Sequence, residues 1–242
     1  MKQLWFFMGI VACVAHFDQS QPEFVRLVHQ AGIDDYQQGR ARNEHLTVDE
    51  RGKSLKKFYL GLNVENLWIA GTHINWETGQ ADKPDATSGI HTHCSAFVAA
   101  ACERLGLYIL RPPAHGQVLL ANGQYDWLKT ENAGQKGWAR LTGVSRVAVY
   151  AQAQRLANSG HVVVAITKNA DESKPGHAAL VMPKEIDSDA LIENGPMIIM
   201  AGKHNFNSIS LKNGFKSHLP GWPENEILFF VNNNSPLTTA SQ

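Results

Sequence analysis

Two side chains in this sequence could together perform nucleophilic catalysis: Cys94 and His177. Residues 94–106 are rich in alanine and end on a glycine, a pattern that predicts a helix starting where a turn-rich segment stops. A helix N-terminus favours the thiolate form of a cysteine and offers free backbone N–H groups to a developing oxyanion. His177 follows a Lys-Pro-Gly turn and opens an apolar run, so we expect it at the start of a strand, as the general base. We also expect a resting ion pair between the thiolate and the imidazolium.

The elements that would position these residues fall into two groups. Helical spacing continues over residues 117–130 and 145–158, after the helix that Cys94 opens. Short apolar runs bounded by turn residues then predict four strands, at 161–166, 177–182, 196–201 and 227–231. Helices followed by strands indicate an α+β fold with one antiparallel sheet rather than alternating βαβ units. The turn-rich segment 78–89 is predicted to be a surface loop.

The run at 94–98 (CSAFV) resembles the nucleophile signature of NlpC-type and CHAP-type cell-wall hydrolases, in which a cysteine, two small residues and an apolar pair open a helix. Residues 160–164 (GHVVV) and 176–181 (GHAALV) resemble their two core strands, the second led by the catalytic histidine. The order of cysteine before histidine argues against the permuted lipid acyltransferase relatives. Where these families often have an aspartate before the first core strand, this sequence has His161.

The resemblance covers roughly residues 88–231 and implies a papain-like, NlpC-type core. It implies a cysteine amidase or endopeptidase that needs no cofactor and cleaves peptidoglycan peptides, with Cys94 as nucleophile and His177 as base. Two alternatives stay open. One is a non-catalytic exported lipoprotein that binds cell-wall fragments, and the other is a toxin-like effector that degrades the wall of another cell.

A third polar residue normally orients the imidazole of such a pair. If segment 196–201 pairs antiparallel with segment 177–182, the residues just past its end lie opposite His177. Asn205 and His204 are therefore the candidates, with Asn207 behind them. For substrate binding, we expect His93 to line the cleft beside the nucleophile, and Tyr125 is a candidate from a polar and aromatic stretch.

The same side chains could instead hold zinc, because imidazole and thiolate are natural zinc ligands. His91, His93 and Cys94 would then combine with a more distant histidine. This spacing matches no standard zinc motif, and the adjacent His93 and Cys94 could hardly bind one ion together. We therefore predict no metal.

The first residues predict export. A positive start at Lys2 precedes an almost wholly apolar segment, 4–15, which fits a secretory signal peptide and is short for a membrane span. Cleavage after Ala15 and lipidation at Cys13 are both open, so we expect a periplasmic or secreted protein, bound to a membrane only if Cys13 is lipidated. A buried N-terminal element of a cytosolic protein is the alternative.

The rest of the chain divides into a helical extension at 16–87 packed on the core, the hydrolase core at 88–231, and a disordered tail at 232–242. The chain carries 22 basic and 22 acidic side chains, which gives no reason to expect a nucleic-acid partner. Cys102 lies eight residues after Cys94, about 12 Å along a helix, too far for a disulfide. We interpret Cys102 as a small core residue.

Overall fold

The computed structural model describes residues 45–218 and 226–235. The predicted signal segment at 1–15, with Cys13, lies outside the described residues. Among the helices of the described part, none is long and apolar enough to cross a membrane. In chain order, the elements are β1 His45–Leu46, α1 Glu50–Gly61, β2 His73–Ile74, β3 Ala81–Lys83, α2 Cys94–Arg104, α3 Leu120–Leu128, α4 Glu131–Gln135, β4 Trp138–Arg140, α5 Arg146–Asn158, β5 Val163–Thr167, β6 His177–Val181, β7 Ile186–Asp187, α6 Ser188–Asn194, β8 Met197–Met200, β9 Phe206–Ser210, α7 Leu211–Gly214 and β10 Leu228–Asn232.

A six-stranded antiparallel sheet in the order β4-β10-β5-β6-β8-β9 organises the fold. The four predicted strands are its central members, and the three predicted helices correspond to α2, α3 and α5, so the α+β class is confirmed. The short strands β4 and β9, which add one strand at each edge, were not predicted. The segment 78–89, predicted as a loop, contributes β3, which pairs with β2.

Both faces of the central strands are covered, which explains why these strands are apolar throughout. Alternate residues of β5 and β6 point to opposite faces. One set joins the core cluster that contains α2: Val164, Ile166, Ala178 and Leu180. The other set joins the cluster that contains α5: Val163, Ala165, Ala179 and Val181. The sheet therefore lies between two helical layers, and α2 packs directly against β6.

The described part of the N-terminal extension, residues 45–87, is not wholly helical as predicted, since it contains the short strands β1, β2 and β3 beside α1, and it packs on the core through α1. Asp49 caps the helix, its carboxylate accepting from the Gly52 N–H at 2.8 Å. Leu55 and Tyr59 are fully buried in the cluster around α2. A Cβ on Gly52 would lie 1.9 Å from the Asn158 carbonyl oxygen, so the helix start requires glycine to approach α5 this closely.

The chain beyond β10 is part of the fold for at least three more residues. Asn232 and Ser235 are buried, and the Ser235 hydroxyl accepts a hydrogen bond from the Val162 N–H at 2.8 Å. The expectation of disorder from residue 232 onward is therefore wrong for residues 232–235. The remaining tail, 236–242, lies outside the described residues.

Candidate active site

Cys94 is the first residue of α2, as predicted. Its thiol is buried, with 3 % of the residue exposed, and burial raises its pKa above the ordinary value. Several donors oppose that rise: the backbone N–H groups of Ala178 and Ser95, and the Ser95 hydroxyl. The sulfur therefore sits among groups that favour a negative charge, although burial outweighs them in the resting state.

His177 is the first residue of β6, also as predicted, and pairs with Thr167 of β5. Helix α2 packs against β6, and the N–H of Ala178 in β6 acts to lower the pKa of the Cys94 thiol, so the start of α2 lies close to the start of β6. The imidazole is 1 % exposed, and its Nε2 has no hydrogen-bond partner in the described part of the chain. No hydrogen bond between the His177 ring and the Cys94 thiol occurs among the described residues.

The expected resting ion pair is wrong for this arrangement. Burial first, and the charge of His218 second, lower the pKa of His177 to about 3. Burial raises the pKa of the Cys94 thiol. Both shifts favour the uncharged forms, so the resting pair is a thiol and a neutral imidazole.

A cleft of about 230 Å³ leads to Cys94. One wall is formed by residues 91–95, the opposite wall by residues 117–121, and Ser173 and Pro175 border it from the β5–β6 turn. None of the residues that line it carries an acidic side chain, and His177 is not among them. Cys94 thus borders the cleft, whereas His177 does not.

The turn that leads into His177 is held from α3 by one side chain. The Asn122 amide accepts from the Gly176 N–H at 2.8 Å and from the Asn169 N–H at 3.3 Å, and donates to the Lys174 carbonyl at 2.9 Å. A Cβ on Gly176 would lie 2.1 Å from the Thr167 carbonyl oxygen. Only glycine fits this approach, which fixes the backbone immediately before the histidine.

The predicted third residues do not meet the His177 ring. Strands β6 and β8 do pair antiparallel, and a Cβ on Gly202 would lie 3.7 Å from the Cε1 atom of His177. The Asn205 amide, however, accepts from the Gly202 N–H at 2.9 Å and donates to the Val64 carbonyl at 2.7 Å and the Leu67 carbonyl at 2.8 Å. Asn205 therefore joins two loops.

The other two polar residues of this loop have different surroundings. His204 is exposed, and no hydrogen bond ties it to His177 within the described residues. The buried Oδ1 of Asn207 has no hydrogen-bond partner among the described residues, and the Asn207 N–H lies 3.4 Å from a Glu65 carboxylate oxygen. The structure thus brings the backbone of this loop to the imidazole and leaves its polar side chains elsewhere.

Two residues that sequence reasoning missed contact the imidazole instead. The His218 ring stacks on the His177 ring, with centroids 4.6 Å apart and planes 2° apart. Phe215 meets the same ring edge-on at 4.6 Å and 71°. A phenylalanine and a histidine three residues apart form no recognisable motif, so only the fold reveals them.

The two predicted substrate-binding residues lie in different surroundings. His93 lines the cleft, where its Nε2 lies 2.8 Å from the Thr72 carbonyl oxygen and burial lowers its pKa. Tyr125 is not among the residues that line the cleft. Its hydroxyl donates to Glu226 at 3.4 Å, and the Lys129 Nζ lies 5.1 Å from its ring centroid. The structure therefore places Tyr125 away from the cleft.

Within residues 45–218 and 226–235, no group of three or more His, Cys, Asp and Glu side chains is arranged to hold a metal ion. The chain matches no family model, no curated protein and no solved structure. The resemblance to NlpC-type and CHAP-type hydrolases therefore stays a prediction.

Proposed function

We propose that this chain is a cysteine-dependent amide hydrolase with a papain-like core that acts on peptidoglycan peptides, as an amidase or an endopeptidase. One observation supports this most. A helix-leading thiol lines a cleft, its helix packs against the strand that His177 leads, and the Ala178 N–H in that strand favours the thiolate. Nucleophile, base and oxyanion donors thus come together from elements far apart in the sequence.

The neutral resting pair determines how the thiol would be activated. The Cys94 sulfur attacks the amide carbonyl carbon while its proton passes to His177, and the Cys94 N–H helps to hold the oxyanion. Collapse breaks the C–N bond, and His177 returns the proton to the leaving amine. Water then attacks the thioester with His177 as base, which releases the acid and regenerates the thiol.

These reaction steps require the thiol and the imidazole to approach each other when substrate binds. They share no hydrogen bond at rest, and catalytic hydrogen bonds commonly tighten only in the substrate complex. The absence of acidic side chains from the cleft lining suits a substrate that carries carboxylates, as stem peptides do. Export, with or without a lipid at Cys13, is part of the same proposal.

A second candidate is a non-catalytic protein that binds cell-wall fragments in the same cleft. The raised thiol pKa and the missing Cys94–His177 hydrogen bond favour it. A toxin-like effector would have the same site chemistry and differ only in its target wall.

Digestion of purified peptidoglycan, with fragment masses read by mass spectrometry, tests the proposal. We expect new fragments that have gained one water across an amide, and a loss of at least about 10²-fold in rate for His177→Ala. Unchanged fragments after prolonged incubation with wild-type protein would overturn the proposed hydrolase, and co-sedimentation of the same protein with the peptidoglycan would then support the second candidate.

A further inference from the structure

We propose that His218 and Phe215 are the positioning residues for His177, which clamp its ring by packing where a third polar residue would otherwise orient it through a hydrogen bond. The inference rests on the proposed function, since it assigns a role at the same site. It follows from three features: the contacts on the ring, the anchoring of the clamp, and the Nε2 atom, which has no hydrogen-bond partner in the part of the chain that the structure describes.

The clamp contacts the imidazole in two different ways. The His218 ring covers one face in parallel, and Phe215 contacts the ring at 71°. Near-parallel stacked and edge-on contacts at these distances are favourable geometries of aromatic pairs. Together they restrict the rotation of the His177 side chain without using either ring nitrogen.

The clamp itself is firmly attached to the sheet. Both of its rings come from one turn, since the His218 N–H donates to the Phe215 carbonyl at 2.9 Å. The Phe215 N–H in turn donates to Leu211, and the Leu211 N–H to the Pro196 carbonyl just before β8, both at 2.9 Å. Phe215 is fully buried. The position of the clamp is therefore fixed by the strand that neighbours β6.

Gly202 lies next to the His177 ring, near its Cε1 atom. A Cβ there would lie 3.7 Å from the His177 Cε1, an ordinary contact distance, and 2.8 Å from the Met200 Cε, so the backbone of this loop borders the ring. Asn205 holds this glycine by its N–H and contributes to positioning only through the backbone. Asn205, which was predicted to orient the imidazole of His177, thus anchors a loop instead.

The imidazole is buried, and its Nε2, which has no hydrogen-bond partner within residues 45–218 and 226–235, can accept a proton. Among the described residues, the titratable side chains near the ring are His218 across the stack and Cys94 at the start of α2, which packs against β6, while the exposed His204 lies in the loop of Gly202. Since burial is the main cause of the low pKa of His177, removing the covering ring should raise that pKa.

His218→Ala and His218→Phe in the full chain separate stacking from other roles. For His218→Ala we expect kcat to fall at least about tenfold with KM within about twofold, because ring orientation and not substrate binding is lost. The acid limb of the kcat/KM profile should move to higher pH. For His218→Phe, a phenyl ring restores the stack, so kcat should return to within about threefold of wild type. His45→Ala, an exposed histidine on β1, is the matched control and should behave as wild type.

NMR titration of the His177 ring gives a readout that needs no substrate. His218→Ala should raise the pKa of His177, and His218→Phe should keep it low. The inference is overturned if His218→Ala leaves kcat and the titration unchanged, or if His218→Phe is as impaired as His218→Ala. If His218→Ala does not fold, His218→Leu replaces it, since leucine fills the space without an aromatic face. If wild type cleaves nothing, the proposed function fails, and the titration alone then decides the clamp.

Discussion

The two ends of α2 carry the same residue type in two different environments. Cys94 and Cys102 are both buried and both free thiols. Cys94 opens the helix, lines the cleft and has four donor groups that favour its thiolate: the Ser95 hydroxyl and the N–H groups of Ala178, Ser95 and Cys94 itself. Cys102 lies in the last turns inside the hydrophobic core, where burial raises its pKa to about 12.

This difference teaches that position on the helix, and not the thiol itself, determines the chemistry available. The free N–H groups of a helix occur only in its first turn, so only Cys94 can share them with a bound oxyanion. The strand start that carries His177 meets this same end of the helix. Four experiments test how far the contrast extends, and they are ordered by expected effect.

The largest effect should come from removing one thiol at a time. We expect Cys94→Ala to reduce turnover on cell-wall fragments by at least about 10³-fold, because the nucleophile is lost while the fold remains. Cys102→Ala should stay within about twofold of wild type. Release of new amine groups from peptidoglycan measures both. Equal losses in the two variants would show that α2 contributes packing alone.

The next largest difference should be in the rates at which the two thiols are alkylated. Iodoacetamide should modify Cys94 at least about tenfold faster than Cys102 in the native protein, because only Cys94 is reached from the cleft. Since the Cys94 pKa is raised, its thiolate fraction and its alkylation rate should keep increasing up to and beyond pH 9, the ordinary value. Peptide mass spectrometry after timed quenching gives both rates. A rate that levels off well below pH 8 would restore the ion pair predicted from the sequence.

Removing a polar contact near each end of α2 should change the free energy of unfolding by a smaller amount, and the loss should be larger at the Cys94 end. Asn122→Ala leaves the Gly176 and Asn169 N–H groups unpaired beside His177, and we expect it to lower the free energy of unfolding by about 2 kcal/mol. Glu103→Gln removes the partly exposed ion pair with Arg111 near the other end and should cost under about 1 kcal/mol. Urea unfolding measures both. A larger loss for Glu103→Gln would reverse the contrast.

How much of this site the sequence could predict depends on how local the signal is. The start of α2 and the start of β6 follow from alanine content, a terminal glycine and a Pro-Gly turn, all within a few residues of Cys94 and His177. The role of Asn205 could not be predicted, because its amide bonds to Val64, 141 residues earlier in the chain. Short-range patterns carry no information about such partners.

The prediction of an ion pair between Cys94 and His177 was wrong for a related physical reason. Helix position and a neighbouring histidine both lower a thiol pKa, and both can be predicted from sequence. The opposing cost of burial depends on what the fold packs around the pair, such as Phe215 and His218 on the imidazole. In this protein the cost of burial outweighs the effects of helix position and of the neighbouring histidine on the two pKa values, and only the assembled structure shows this cost.

The smallest effect, and the sharpest test of the contrast, is the stability of the same two alanine variants. Cys102 is fully buried in the core, so losing its sulfur leaves a cavity, and we expect Cys102→Ala to lower the free energy of unfolding by about 1 kcal/mol. Cys94 borders the cleft, where water can replace the sulfur and satisfy the N–H groups, so Cys94→Ala should cost less than about 0.5 kcal/mol. Urea unfolding with equal m-values in both variants makes the comparison valid. The variant that abolishes activity should thus be the more stable one. If Cys94→Ala is instead the less stable variant, the first turn of α2 is a packing site, and its loss of activity would no longer identify Cys94 as the nucleophile.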